Sequence, residues 1–244
     1  SGDVLQESIT WLAEDLSEVA VGESLLSVVR INTASDGSET PDTISVPTKG
    51  WNTVVYVTET SVYLASSESV MEPIVSTIEP LIVDNEGNTT SIGGALRLSS
   101  VEYRSVTSIH RIDLTSTDLT LAAAGQIDGT VSDQHSMDEH DGMLRVAVTQ
   151  DRGWLNGGTS TAIYVLEESG DVLSAIGRIE GLAPGEQLYS ARFEGDRAWI
   201  VTFRRVDPLF AIDLSDPANP VVTGELKISG YSDYMQSIDE NHVV

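Results

Sequence analysis

Leu5, Ile9, Leu12, Leu16 and Val19 recur at steps of four and three, while Glu7, Glu14, Asp15 and Glu18 fall mostly elsewhere. That spacing predicts an amphipathic helix over about residues 4–20. The stretch from Thr33 to Lys49 is rich in Ser, Thr, Asp, Gly and Pro, so residues 1–49 read as a helix followed by a loop or linker. After Lys49 the texture changes. Short β-branched runs alternate with polar turns, as in Thr53–Val57, Val62–Ala65, Ile109–Leu114, Leu144–Thr149, Ile163–Leu166, Trp199–Phe203 and Phe210–Leu214. Such runs predict an all-β region.

These runs repeat. Leu121-Ala-Ala-Ala-Gly125-Gln-Ile-Asp-Gly129 matches Leu173-Ser-Ala-Ile-Gly177-Arg-Ile-Glu-Gly181, with a looser third copy at Val221-Val-Thr-Gly224-Glu-Leu-Lys-Ile-Ser-Gly230. Their neighbours follow the same order. Ahead of them lie Ile109–Leu114, Ile163–Glu167 and Phe210–Leu214; behind them lie Met137–Thr149, Phe193–Phe203 and Ile238–Val244. Each unit therefore holds four strand candidates, and the marker glycines at 125, 177 and 224 are spaced by 52 and 47 residues. A four-strand repeat of about 40–50 residues is the size of one β-propeller blade. A twisted four-stranded sheet cannot bury both faces alone, whereas radial stacking gives each face a neighbour. In Asp213-Leu-Ser-Asp-Pro-Ala-Asn-Pro220, aspartates that cap backbone amides and prolines that end strand pairing specify a turn.

The stretch from Gln134 to Val244 resembles the secreted proteins with a C-terminal β-propeller domain found in archaea and bacteria. The matching text includes Ser136–Thr149, Glu180-Gly-Leu-Ala-Pro-Gly-Glu186 and the run Phe203–Gly230; Thr107–Leu114 fits more weakly, and residues 1–49 and 68–106 are not covered. The resemblance implies an extracellular or cell-surface β-propeller of unknown activity, and it brings no catalytic residues. The expected organisation is an N-terminal helix and linker over 1–49, then a truncated propeller over 50–244 with an insertion at about 68–106. The family pattern continues past Asp239-Glu-Asn-His242, so the chain reads as a fragment of about three to three and a half blades. An unclosed fan exposes sheet edges. The N-terminal helix, the 68–106 segment or a second copy of the chain is expected to cover them, the last as a homodimer through open sheet edges.

Composition narrows the function. The chain has 244 residues with 38 acidic against 13 basic, a formal charge of −25, and no cysteine. Disulfides, thiolate metal sites and cysteine nucleophiles are therefore excluded. Nucleic acid is disfavoured because phosphates need a basic footprint. Only Lys49 and Lys227 are lysines. A carboxylate-rich, lysine-poor surface suits concentrated salt, where screening removes self-repulsion, so the chain reads as halophilic. There is no apolar run long enough for a membrane span. The Ser1-Gly2 start, which lacks methionine, reads as processed or engineered.

Candidate chemistry is sparse. Asp138, Glu139 and Asp141, with His140 between them, form the densest ligand-type group and could hold calcium. No EF-hand spacing follows, and Phe193-Glu-Gly-Asp196 and Ile238-Asp-Glu-Asn241 occupy the same repeat position, which favours a structural hairpin turn. Asp84-Asn-Glu-Gly-Asn88 reads as a loop turn. His110, whose repeat counterparts are read as Tyr164 and Ala211, is assigned to packing. The sequence has neither a His-Glu-x-x-His nor a Gly-x-Ser-x-Gly motif, and Gly153-Trp-Leu-Asn-Gly-Gly158 lacks the lysine of a phosphate-binding loop. Arg204 and Arg205 beside Asp207 read as a salt bridge supporting a strand connection, and Asn88-Thr-Thr90 is a glycosylation sequon. The leading expectation is a scaffold that binds an extracellular protein or polymer through loops that include 68–106. The alternatives are a hydrolase or lyase acting on an extracellular polymer, and a calcium-dependent surface protein.

Overall fold

The computed structural model describes residues 23–31, 40–50, 52–78, 81–83, 89–91, 96–151, 158–203, 207–228, 237–239 and 242–243. The expected helix at 4–20, the Asp84–Asn88 cluster, residues 153–157 of the glycine-rich run and the Arg204–Arg205 pair lie outside the described residues. Within the described residues the fold is all-β, apart from a 3-10 turn at Gln134–Ser136.

The first hairpin corrects the loop reading of Thr33–Lys49 over Asp42–Lys49, which is a strand. Strand β1 (Glu23–Arg30) pairs antiparallel with β2 (Asp42–Lys49). In β2 the alternation is Ile44, Val46 and Thr48 inward with Pro47 outward, and the hydroxyl residues and the proline disguise the strand in sequence. Val46 packs with Val62, Leu64, Ile112 and Leu119, and Leu26, Val28 and Ile44 complete the patch. The hairpin thus covers one face of the sheet that follows.

That sheet begins with β3 (Asn52–Val57) and β4 (Ser61–Ile78); β5 (Leu81–Val83) and β6 (Thr89–Ser91) pair with each other, and β7 (Leu96–Asp113) and β8 (Thr120–Asp128) complete the unit. The order is β3-β4-β7-β8, antiparallel throughout. A second antiparallel quartet follows as β9 (Met137–His140), β10 (Met143–Asp151), β11 (Thr159–Ser169) and β12 (Val172–Leu182). A single parallel bridge, Ala124 with Val172, joins the two into one eight-stranded sheet. A third quartet, β13 (Gln187–Glu194), β14 (Arg197–Phe203), β15 (Asp207–Asp213) and β16 (Val221–Ile228), forms its own sheet, and β17 (Ser237–Asp239) pairs with β18 (His242–Val243).

The core lies between quartets. Tyr63, Ala65 and Ile109 of the first meet Leu144, Val146, Val148 and Tyr164 of the second. The opposite face of the second, through Ala147, Ile163 and Val165, meets Leu188, Phe193, Ile200, Phe210 and Ile212 of the third. Covered on both faces, β10 is buried at almost every position, which is why successive residues Val146, Ala147 and Val148 are all apolar instead of alternating. Each fully buried aliphatic side chain contributes about 1.5–3 kcal/mol.

Chain direction is set at the turns. Asp141 and Gly142 both have positive φ, 49° and 76°, giving a two-residue hairpin loop between β9 and β10. At the ends of β7 and β15 a repeated aspartate caps the chain. Asp113 accepts the amide and hydroxyl of Thr115 and the hydroxyl of Ser116, and Asp213 accepts the Ser215 amide. These hydrogen bonds hold both carboxyls below the ordinary aspartate range.

Register also corrects one repeat alignment. His110 stands across from Leu64, Tyr164 from Val146 and Phe210 from Ile200, each partner being the fourth residue of its strand. The third counterpart of His110 is therefore Phe210, not Ala211.

Candidate binding cleft

Strands β4 and β7 outrun their neighbours. The β3 pairing ends at Asn52 with Ser67, and the β8 pairing ends at Asp128 with Val106. From Ser69 and Ser105 to Ile78 and Leu96 the two strands pair only with each other, forming a ribbon about 30 Å long by strand rise. Its root is fixed by buried polar contacts. Ser67 Oγ and Thr107 Oγ1 lie 2.8 Å apart, Thr107 donates to the Gly129 carbonyl at 2.6 Å, and the Gly129 amide donates to the Ser105 carbonyl at 2.8 Å. Arg104 forms an ion pair with Asp128.

One ribbon face continues the surface that lower down buries Tyr63 and Ile109. Along it stand the register pairs Ser69 with Ser105, Met71 with Tyr103 and Pro73 with Val101. Met71, Val101 and Tyr103 are 63%, 59% and 58% exposed, so the ribbon carries apolar side chains into solvent.

At the foot of this face is a cleft of about 320 Å³ that draws on all three quartets. The first supplies Ser69, Tyr103, Arg104 and Ser105. The second supplies Thr130 and Ser132 from the β8 to β9 crossing, with Thr149, Asp151 and Thr159 from the ends of β10 and β11. Gln187 and Leu188, at the start of β13, close it. Hydrogen bonds tie the walls together: the Leu188 amide donates to Thr149 Oγ1 at 3.0 Å, Thr130 and Thr149 exchange backbone bonds at 2.8 and 3.1 Å, and the Gly185 amide donates to the Thr159 carbonyl at 2.7 Å. The lining is mostly hydroxyl and amide, groups that orient a polar ligand. A larger cavity, about 470 Å³, lies at the opposite end of β13–β15 and is lined within the third quartet, by Glu194, Asp196, Arg197, Trp199 and Asp213 among others.

The carboxylates singled out from the sequence go to separate partners. Asp138 accepts two bonds from Arg145, whose guanidinium is almost fully buried. Glu139 accepts the Thr58 hydroxyl at 3.1 Å, and its amide donates to Tyr56 Oη at 3.1 Å. Asp141 is exposed in its turn, 3.7 Å from His140 Nε2, which is 3.5 Å from Asp196. Among the described residues no group of three or more His, Asp or Glu side chains converges as a metal site would require. Alternation along β9 is the reason, since adjacent residues point to opposite faces.

His110 is half-buried with Nδ1 enclosed and unpartnered, and burial lowers its pKa. A network that the sequence did not signal lies in the second quartet: buried Gln150 donates to Tyr164 Oη at 2.8 Å and to Glu180 at 3.0 Å, and Tyr164 donates to Glu180 at 3.1 Å. Burial, and then the Glu180 charge, raise the Tyr164 hydroxyl well above its ordinary value. Burial and the Glu139 charge push Tyr63 up to about 12.

The sequence that builds these stacked quartets matches the model of the beta propeller domain family over residues 13–244. The chain belongs to that family. An uncharacterized protein of Archaeoglobus fulgidus is 42% identical over 138 residues, which is 56% of this chain and 21% of the relative. An uncharacterized protein of Methanocaldococcus jannaschii is 41% identical over 135 residues, 55% of this chain and 21% of the relative. The match thus spans about a fifth of the length of these relatives. Each quartet has the four-stranded antiparallel form of a propeller blade, and the cleft lies where one quartet crosses to the next. No helix among the described residues is long and apolar enough to cross a membrane.

Proposed function

We propose that this chain is part of an exported, cell-surface or extracellular propeller that acts as a binding scaffold. Its three blades and the start of a fourth at β17–β18 present the rim cleft and the β4–β7 ribbon to a partner. The observation that carries this reading is the cleft's construction. Residues from position 69 to 188 converge on one rim, beside a ribbon that exposes Met71, Val101 and Tyr103. Rigid scaffolds with projecting elements concentrate binding in such places. The carboxylate excess fits a saline exterior, and Asp138 and Asp141 serve the blade seam and the hairpin turn. Family membership is consistent with unknown activity, since both relatives are uncharacterized.

The test replaces residues 69–104 by a two-residue turn and compares the two proteins in co-sedimentation with insoluble polysaccharides and with surface-layer protein. Retention of the whole chain on at least one polymer, lost on trimming, supports the scaffold. Equal behaviour of the two proteins on every polymer overturns it.

A further inference from the structure

We propose that the rim cleft binds a neutral glycan chain, with Tyr103 as its stacking platform; this rests on the scaffold reading and names its ligand class. The first argument is the lining. Seven of its eleven residues carry hydroxyl groups, and the rest include only one apolar side chain, Leu188. A hydroxyl both donates and accepts, so a wall of them complements sugar hydroxyls of either orientation.

The second argument is charge. Asp151 is the one carboxylate of the lining and Arg104 the one cation, and Arg104 is ion-paired with Asp128. Neither a phosphate nor a metal finds the concentrated countercharge it needs here. A formal charge of −25 further repels polyanions.

Third, Tyr103 stands at the cleft's edge, 58% exposed, on a strand held in register from its root. An aromatic face offers apolar contact to the C–H face of a pyranose, and its rigidity keeps the ordering cost low. Met71, across from it, and Val101, two residues along, extend the platform for more than one ring. An extended peptide is the competing occupant. The ribbon's sequence contains Glu68, Glu72, Pro73 and Glu102, residue types that disfavour the strand addition such a peptide would use.

Saturation-transfer NMR and calorimetry on the whole chain would use neutral hexasaccharides of glucose, mannose, xylose and N-acetylglucosamine. A galacturonate hexamer and an uncharged extended hexapeptide serve as comparators. The expected result is saturable binding of at least one neutral hexasaccharide, weakened about tenfold by Tyr103→Ala, retained by Tyr103→Phe and unaffected by Leu121→Ala on exposed β8. Circular dichroism melts must show each variant folded. Binding of the peptide alone, or of the galacturonate alone, overturns the glycan class and leaves the scaffold standing. Unchanged sugar binding by Tyr103→Ala overturns the placement in the cleft. Absence of binding to every probe overturns the glycan proposal, and the polymer co-sedimentation then decides the scaffold separately.

Discussion

Gly177 leaves no room for a side chain: a β-carbon built there would lie 2.0 Å from the carbonyl oxygen of Pro217, in the turn after β15 of the next blade. Gly125, its repeat counterpart, has the same relation to the blade that follows, with Leu173 O at 2.3 Å. At the third counterpart, Gly224, the nearest atom is Ala211 Cβ at 3.8 Å, within its own blade. The repeated glycine marks the seam where the fourth strand of one blade is approached by the next.

Alanine at Gly125 or Gly177 should therefore cost about 1–3 kcal/mol or more, as overpacking does, because backbone and not a flexible side chain must move. Gly224→Ala should be close to neutral. Chemical denaturation of the three variants checks this, and equal losses at all three would contradict the seam argument.

Arg145 carries a second seam. It is held by Asp138 in its own blade, donates to the Gly195 carbonyl of the next, and lies 5.4 Å from the Phe193 ring centroid. Removing one member of a buried pair leaves the other uncompensated, so Asp138→Ala should cost about 3 kcal/mol. Asp141→Ala, in an exposed turn, should cost markedly less. Asp138→Ala combined with Arg145→Met should cost less than the sum of the singles. Urea midpoints measure all four proteins.

His110 predicts a pH dependence. Burial lowers its pKa below the unfolded value near 6.5, so the unfolded chain binds the proton first. The stability it contributes is complete above about pH 6.5 and falls as pH drops through the lowered folded value. His110→Gln should flatten the decline between about pH 7 and 5. Thermal melts across that window would show an unchanged slope if the imidazole were instead solvated.

Salt should stabilise the chain. With a formal charge of −25, screening over a Debye length of about 10 Å at 0.1 M, and shorter above it, relieves repulsion. The melting temperature should rise from dilute buffer to molar sodium chloride. A flat profile would remove the halophilic reading.

The ribbon should be dispensable for folding. Beyond Glu68 and Val106 it pairs with no other strand, so closing the hairpin there should leave the blade's melt within a few degrees of the parent. A collapse of cooperativity would show that the ribbon stabilises the propeller itself.

The all-β propeller class was legible because it rests on local signals: β-branched runs, capped turns such as the one that begins at Asp213, and glycines repeating with the strands. Those features report which chain segments make strands and how often. They do not report what faces what. Strand β2 stayed hidden because its inward alternation is carried by Ile44, Val46 and Thr48 around a proline. The seam position shows the limit most clearly. The third residue of the second strand is Tyr63, Arg145 and Trp199 in successive blades, each paired across the hairpin with Tyr56, Asp138 and Arg192. A stacked pair, a buried ion pair and a tryptophan beside an arginine share one place, and no sequence pattern unites them. Asp138, Glu139 and Asp141 are neighbours in the chain, yet alternation along β9 sends the first two to different partners and the turn leaves Asp141 exposed. Ser69, Tyr103, Thr130, Thr149 and Gln187 are far apart in the chain, yet blade stacking gathers them at one rim. Pattern along the chain determined the strands and their repeat; only long-range pairing and packing between blades decided which side chains meet, because a strand's period fixes its two faces but not their neighbours.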